Sequence, residues 1–366
     1  MSGSILGDLF KISTWGESHG KALGVVIDGC PAGVNLTELD IQADLDRRKP
    51  GQSPFTTPRK EKDQVEILSG VFKGKTTGTP ISLIIYNKNQ RSKDYSALKE
   101  VYRPGHSDYT YDAKYGFRDY RGSGRASGRE TAARVAGGAV ARKLLASLGI
   151  GITAYTYSIG PVTIEKTNFD KDFIQKNFLY MPDRQAAQQA EEYLTGLIKG
   201  NNSSGGKIEC VVDNLPAGLG DPVFDKCDAL LAKAMLSIGA VKAFAIGSGF
   251  SAAEMTGHQH NDFYNYNEQG KVIKQSNNAG GTLGGISDGS QIKIQVAVKP
   301  TPSIEKTQPT INRQGENIDL NIKGRHDPII VPRAVVVVEA MTALTLTDLL
   351  LKNMTAKLEN IQKIYC

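Results

Sequence analysis

The sequence predicts an α+β fold, and three observations carry that expectation. Segments with strand character, among them residues 25–27, Ile81–Tyr86 and the alternating run Ile292–Val298, recur along the whole chain. Helical patterns fall between them at irregular intervals, so no strand-helix-strand repeat builds up, and the strand segments suit antiparallel pairing within one domain, residues 1–366. Neither glycine-rich basic loop fits a nucleotide fingerprint. Gly70-Val71-Phe72-Lys73-Gly74-Lys75-Thr76 is one residue short of a P-loop and reads as a hairpin turn, and Gly122-x-Gly124-x-x-x-Gly128 lacks the dinucleotide spacing.

In chain order, residues 9–31 begin and end as strands around the polar loop Gly16-Glu17-Ser18-His19-Gly20, and Asp28-Gly29 marks a turn. Thr37 caps a helix with the apolar stripe Ile41 and Leu45, which Pro50-Gly51 stops. Its last turn, Arg47-Arg48-Lys49, suits the negative end of the helix dipole and leaves an arginine able to reach an anion. Strands are expected near 65–72 and at Ile81–Tyr86. A helix over 128–148 starts at a capping box, Ser127 to Glu130, and ends at Gly149; Gly137-Gly138 inside it asks for close packing of a neighbouring element. A strand at 152–159, a helix near 184–199 and a strand over 207–213 follow. Asp221-Pro222 reads as a helix start with proline in the first turn, Gly239 as that helix's end, and 243–249 as a strand. Pro332 opens a long apolar helix reaching about Leu358.

Composition narrows the function. A 366-residue chain with 40% hydrophobic and 22% charged residues buries a sizeable core. Net charge +6 and pI near 8.9 suit anionic partners. The excess is spread without a lysine or arginine block, so a small phosphorylated or carboxylated metabolite is expected and nucleic acid is not. Cys30, Cys210, Cys227 and Cys366 form no C-x-x-C pair and read as free thiols in a reducing compartment. The N-terminus lacks a signal-peptide pattern and no uninterrupted apolar run reaches about 18 residues, so a cytoplasmic protein without a membrane span is expected. His258-x-His260 has no evident third ligand, and no metal is expected.

Residues 102–134 hold the most unusual chemistry. Arg103, His106, Arg118, Arg121, Arg125, Arg129 and Arg134 alternate with tyrosines, and Gly122, Gly124 and Gly128 lead into the helix start. Backbone N–H groups and the dipole at that start favour an anion, with His106 as a titratable neighbour. His19 sits on a glycine-flanked loop able to approach a ligand. The 277–285 loop could flank a planar ligand, and Lys299-Pro300-Thr301-Pro302-Ser303 offers a lysine and hydroxyls to a phosphate. In Lys323-Gly324-Arg325-His326-Asp327-Pro328, Asp327 beside Arg325 should stay ionised and is a candidate base or relay.

Three motifs together resemble the chorismate synthase family. They are Gly16–Gly20 with Leu23–Pro31, Arg103-Pro104-Gly105-His106 with Arg125-x-x-x-Arg129-Glu130-Thr131, and Gly324-Arg325-His326-Asp327-Pro328; the likeness spans nearly the whole chain. The resemblance implies a single-domain β-α-β sandwich with helices between antiparallel sheets, assembled as a homotetramer. It implies the 1,4-anti elimination of phosphate from 5-enolpyruvylshikimate 3-phosphate to give chorismate, dependent on reduced FMN with no net redox change. Position by position, it implies His19 and His106 as catalytic histidines, on the phosphate side and the flavin side respectively, and Asp327 as a proton relay near the flavin. Arg48, Arg103, Arg129 and Arg325 match anion-binding arginines, where bidentate guanidinium pairing explains the choice over lysine. Arg125, Ala126, Ser127, Gly239, Ala240, Gly284, Lys299, Pro300, Thr301, Pro302, Ser303 and Arg325 match FMN contacts. Ala126 and Gly128 stand where the family often has Ser and Ala, Pro54 where many members have Arg, and Ile329 where Cys is usual. Without a dinucleotide fingerprint or extra domain, an external flavin reductase is expected to supply the reduced FMN. Two other readings are an NTP-dependent phosphoryl transferase, which the P-loop spacing opposes, and an RNA binder, which the scattered charge opposes.

Overall fold

The computed structural model describes residues 3–57, 61–88, 98–322 and 327–366, so Arg325 and His326 lie outside the described residues. Strands and helices separate into three layers. The first sheet contains β1 (Ile5–Leu6), β2 (Lys11–Gly16), β3 (Ala22–Asp28), β4 (Val65–Ile67) and β5 (Ile81–Tyr86), in the order β1-β2-β3-β5-β4. The second contains β6 (Gly151–Ile159), β7 (Val162–Thr163), β8 (Gly206–Asp213), β9 (Val241–Ile246) and β10 (Ile292–Val298), in the order β7-β6-β8-β10-β9. Every pairing within these two sheets is antiparallel.

The helices are α1 (Glu38–Arg48), α2 (Asp108–Tyr115), α3 (Thr131–Ser147), α4 (Arg184–Lys199), α5 (Cys227–Leu236), the single turn α6 (Gly257–His260), α7 (Val331–Asn353) and α8 (Leu358–Tyr365). Of these, α1, α3, α5 and α7 pack on one another between the two sheets. Leu23, Val25 and Ile27 of β3 and Ile81, Leu83 and Ile85 of β5 are buried, and α3 packs on these two strands. Ile208, Cys210 and Val212 of β8 are likewise buried, with α7 packed on β6 and β8. α7 is long and apolar enough to cross a membrane, but 83% of that window is buried inside the protein, which makes it a core helix. The expected sandwich of helices between antiparallel sheets is the observed architecture.

The two central helices touch through small residues. A Cβ at Gly138 would overlap the backbone and Cβ of Ala340 on α7, whereas a Cβ at Gly137 would sit 3.5 Å from Ile12 and Val25 in ordinary contact. Gly138→Ala should therefore destabilise the protein by about 1–3 kcal/mol through overpacking. Gly137→Ala should stabilise it by up to about 1 kcal/mol through helix propensity. Urea unfolding of the two variants checks the contrast, and equal shifts would contradict this packing.

Several local expectations differ from the structure. The helix expected from Asp221 starts only at Cys227: the Asp221 N–H donates to the Asp225 carbonyl in a turn, and Val223 holds φ at 73°. The long helix ends at Asn353, where the chain turns before α8. Residues 65–72 divide into β4 and a short strand, Val71–Phe72, which pairs with Lys75–Thr76 as the expected hairpin. Ser127 does cap the turn before α3, accepting from the Arg129 N–H, but Glu130 pairs with Arg134 at 2.8 Å instead of closing a capping box.

Candidate active site

His19 lies on the turn between β2 and β3 and is buried. Ser18 Oγ is 3.1 Å from its Nδ1 and donates to the Gly122 carbonyl at 2.9 Å. Gly122, at φ 65°, has to be glycine, because a Cβ there would overlap the His19 ring. The next residue, Ser123, brings its Oγ to 3.1 Å from His106 Nε2 and accepts from Arg103 Nη2 at 2.8 Å. The dipeptide Gly122-Ser123 thus bridges the two histidines.

Arg103 is buried and held by Asp108, in a bidentate pair of 2.7 and 2.8 Å, and the backbone N–H of Arg103 donates to the same carboxylate. Burial alone would raise the Asp108 carboxyl, but hydrogen bonds and charge from Arg103 hold it well below the usual carboxylate range. Arg118 adds an ion pair to Asp108 at 2.9 Å and donates to the carbonyls of Leu98, Lys99 and Val101. That places it as a strut of the loop carrying Arg103 and His106.

A second carboxylate organises two more arginines. Asp63 accepts from Arg48 Nη2 and from Arg129 Nη1, each at 2.6 Å, and its side chain is fully buried. Burial raises this carboxyl, but the two guanidinium charges outweigh it and hold the pKa at about 2. Arg48 also donates to Thr131 Oγ1 at 3.2 Å, and Arg129 Nε to Asn87 Oδ1. From Arg48 the network continues, since its carbonyl accepts from Arg333 Nε at 3.0 Å. Arg333 Nη1 in turn pairs with Asp327 at 2.7 Å, and the other Asp327 oxygen accepts from the Thr57 N–H at 2.8 Å.

Of the residues expected at a cofactor, Lys299 donates Nζ to the Gly105 carbonyl at 2.6 Å and its backbone N–H to the Ala240 carbonyl at 2.9 Å. Burial, with Lys242 nearby, lowers the Lys299 pKa. The Gly105 Cα faces Pro302, so the segment 299–303 runs beside the loop bearing Arg103 and His106. Ser303 is buried, and the buried Thr301 hydroxyl has no partner among the described residues. Arg125 donates to the Gly16 carbonyl at 3.2 Å and to Thr14 Oγ1 at 2.8 Å, fixing the 122–127 segment to β2 near the His19 turn; the Ala126 N–H donates to the Ser123 carbonyl within that segment. Gly239 and Ala240 follow the end of α5. Gly284 stands elsewhere, in the turn of a small hairpin, Thr282–Leu283 with Ile286–Ser287. The adjacent Gly285 carbonyl accepts from the Cys227 N–H at the start of α5. The ten-residue helix α5, about 15 Å long, lies between Gly284 and Gly239.

Sequence reasoning missed Asp63, Asn87, Asp108, Ser123 and Arg333. Asp108, in the first turn of α2 and five residues after Arg103, carried a weak signal as an acidic helix start. Asp63 carried none, because its partners come from α1 and the start of α3.

The chain is similar to known proteins over nearly its whole length. The family model for chorismate synthase matches residues 10–351. A chorismate synthase of Agathobacter rectalis is 63% identical over 100% of this chain and 99% of that relative. The chain belongs to the chorismate synthase family. A Methanosarcina mazei chorismate synthase is 52% identical over 96% of this chain and 97% of its own length. A crystal structure of a chorismate synthase superposes with a TM-score of 0.77 at 33% identity, covering 98% of this chain and 97% of that one. As a chorismate synthase the chain is a lyase of the shikimate pathway, which leads to the aromatic amino acids.

Proposed function

We propose that the chain makes chorismate by 1,4-anti elimination of phosphate from 5-enolpyruvylshikimate 3-phosphate, with reduced FMN bound and no net redox change. The observation that carries this reading is the bridging of His19 and His106 through Gly122 and Ser123. It sets two titratable groups beside arginines that suit a substrate carrying one phosphate and two carboxylates. In the elimination a C–H bond and a C–O bond break, the C–H electron pair ends in a new double bond, and phosphate leaves with the C–O pair.

His19 donates a proton to the departing phosphate, which leaves more readily once protonated. Asp327, oriented by the Thr57 N–H and by Arg333, is the carboxylate that receives the substrate proton by relay. Arg48, Arg103, Arg129 and Arg325 hold the anionic groups. Reduced FMN, when bound, lends electron density as the C–O bond breaks. The unpartnered Thr301 hydroxyl, buried Ser303 and Lys299 fit a phosphate tail, and Arg125, Ala126, Ser127, Gly239 and Ala240 would hold the remainder of the cofactor. Within one chain Gly284 is far from Ala240, so its contact would require a different approach to the flavin.

The whole chain acts as one catalytic domain in the cytoplasm, as a homotetramer supplied with reduced FMN by a separate flavin reductase. Exposed Phe224, Phe250 and Tyr266 would be covered in such an assembly. The test is anaerobic: protein, reduced FMN and the phosphorylated enolpyruvyl substrate are mixed, and chorismate and phosphate are followed together. Equimolar release is expected only when all three are present, and absence of chorismate would refute the reading.

A further inference from the structure

Asp63 is placed unlike an ordinary partner in an ion pair. Its side chain is fully buried, and its two oxygens separately accept from arginines that arrive from different elements: Arg48 at the end of α1, and Arg129 in the turn before α3. Both guanidiniums are themselves almost wholly buried. Each retains one buried nitrogen, Arg48 Nε and Arg129 Nη2, with no hydrogen-bond partner among the described residues. A guanidinium donor left unpaired in the interior is costly, and two of them on one shared carboxylate call for an acceptor.

We propose that Asp63 is a positioning residue that locks Arg48 and Arg129 in one geometry, so that their two remaining donors converge on one anionic group of the substrate. This rests on the reading above that these two arginines bind substrate anions. The physical reasons are geometric and electrostatic. A carboxylate shared by two guanidiniums fixes both planes, where arginines facing water would sample many rotamers. It also lowers the local charge from +2 to +1, so the pair can stay close while buried and still attract an anion. Asn87, accepting from Arg129 Nε, and Thr131, accepting from Arg48 Nη1, remove the other degrees of freedom.

The test compares Asp63→Asn and Asp63→Ala with Arg48→Lys and Arg129→Lys in the full chain under anaerobic turnover. FMN affinity is measured separately by fluorescence and folding by thermal unfolding. Asp63→Asn, nearly the same shape, should raise the substrate KM by about tenfold or more through misplaced donors, with a smaller change in kcat and unchanged FMN affinity. In Asp63→Ala, added formate should lower the raised KM by supplying the missing carboxylate between the arginines. A folded Asp63→Asn variant with KM within about twofold of the parent, while the arginine variants lose binding, would overturn the role of Asp63 alone. Arginine variants that keep the parent KM would overturn the underlying assignment instead. Should Asp63→Ala fail to fold, Asp63→Asn decides the matter by its KM.

Discussion

Replacing His106 with alanine is expected to lower kcat by a factor on the order of 10²–10⁴ while leaving the fold intact. The expectation follows from how little else the ring does. His106 Nδ1 faces the Ser107 N–H at 2.9 Å, a group that can only donate, so in the neutral ring the proton sits on Nε2. Nε2 then points its hydrogen at Ser123 Oγ, or at a ligand atom nearby. Truncation leaves the Ser107 N–H within reach of water, since the imidazole is partly exposed, and Arg103 keeps its bidentate pair with Asp108. Stability should fall by no more than about 1 kcal/mol, the net worth of an ordinary hydrogen bond. His106→Gln, whose amide can reach the position of Nε2, should keep substrate and flavin binding yet remain slow, because an amide does not transfer protons near neutral pH. Anaerobic turnover, with circular dichroism as the folding control, measures both. An alanine variant turning over at the parent rate would remove His106 from the chemistry.

The contrast between His106 and Asp108 shows what is legible in a sequence. His19, His106 and the 299–303 segment stand out because glycines, prolines and polar residues interrupt every periodic pattern around them, and a chain abandons periodicity where a loop must face a ligand. The strands are legible for the opposite reason: Ile292–Val298 alternates buried and half-buried residues along its whole length. Carboxylates that orient the arginines leave no comparable trace. Asp63 sits in a turn-rich stretch where an aspartate is commonplace, and only tertiary structure brings α1 and the start of α3 to it. The misplaced start of α5 has a similar cause. Asp-Pro is a sound local start signal, yet the turn closed onto Asp225 and the left-handed Val223 delay the helix until Cys227. The Ser127 capping box fails because Arg134, one helical turn on, competes for Glu130.

In the core, one buried carboxylate should matter more for stability than any single apolar contact. Glu339 lies midway along α7 and is almost fully buried. It accepts from both terminal nitrogens of Arg47 at 2.5 and 3.1 Å, from Arg142 at 3.2 Å and from the Ala154 N–H at 2.9 Å, so it joins α1, α3, α7 and β6. Among the described residues, Glu339→Ala would leave Arg47 and Arg142 with Asp44 as their shared carboxylate, while Arg47 keeps its place over the Tyr180 ring. Asp44 is a single carboxylate already engaged by both arginines, at 3.5 Å from Arg47 and 2.7 Å from Arg142, so it does not replace the acceptors that Glu339 supplies. Arg47 Nε already lacks a partner among the described residues, and the Ala154 N–H would lose its own. Breaking a buried pair from one side costs about 3–5 kcal/mol, because an uncompensated charge stays behind. Urea unfolding of Glu339→Ala should show a loss of that size, and a loss below about 1 kcal/mol would mean that water or rearrangement satisfies the arginines. A second consequence reaches the active site. Arg47 precedes Arg48 on α1, so loosening Arg47 shifts the backbone that carries Arg48 toward Asp63. Glu339→Ala should therefore also raise the substrate KM, although Glu339 touches no residue assigned to substrate. A destabilised variant with an unchanged KM would show that Asp63 alone is enough to hold Arg48 in place.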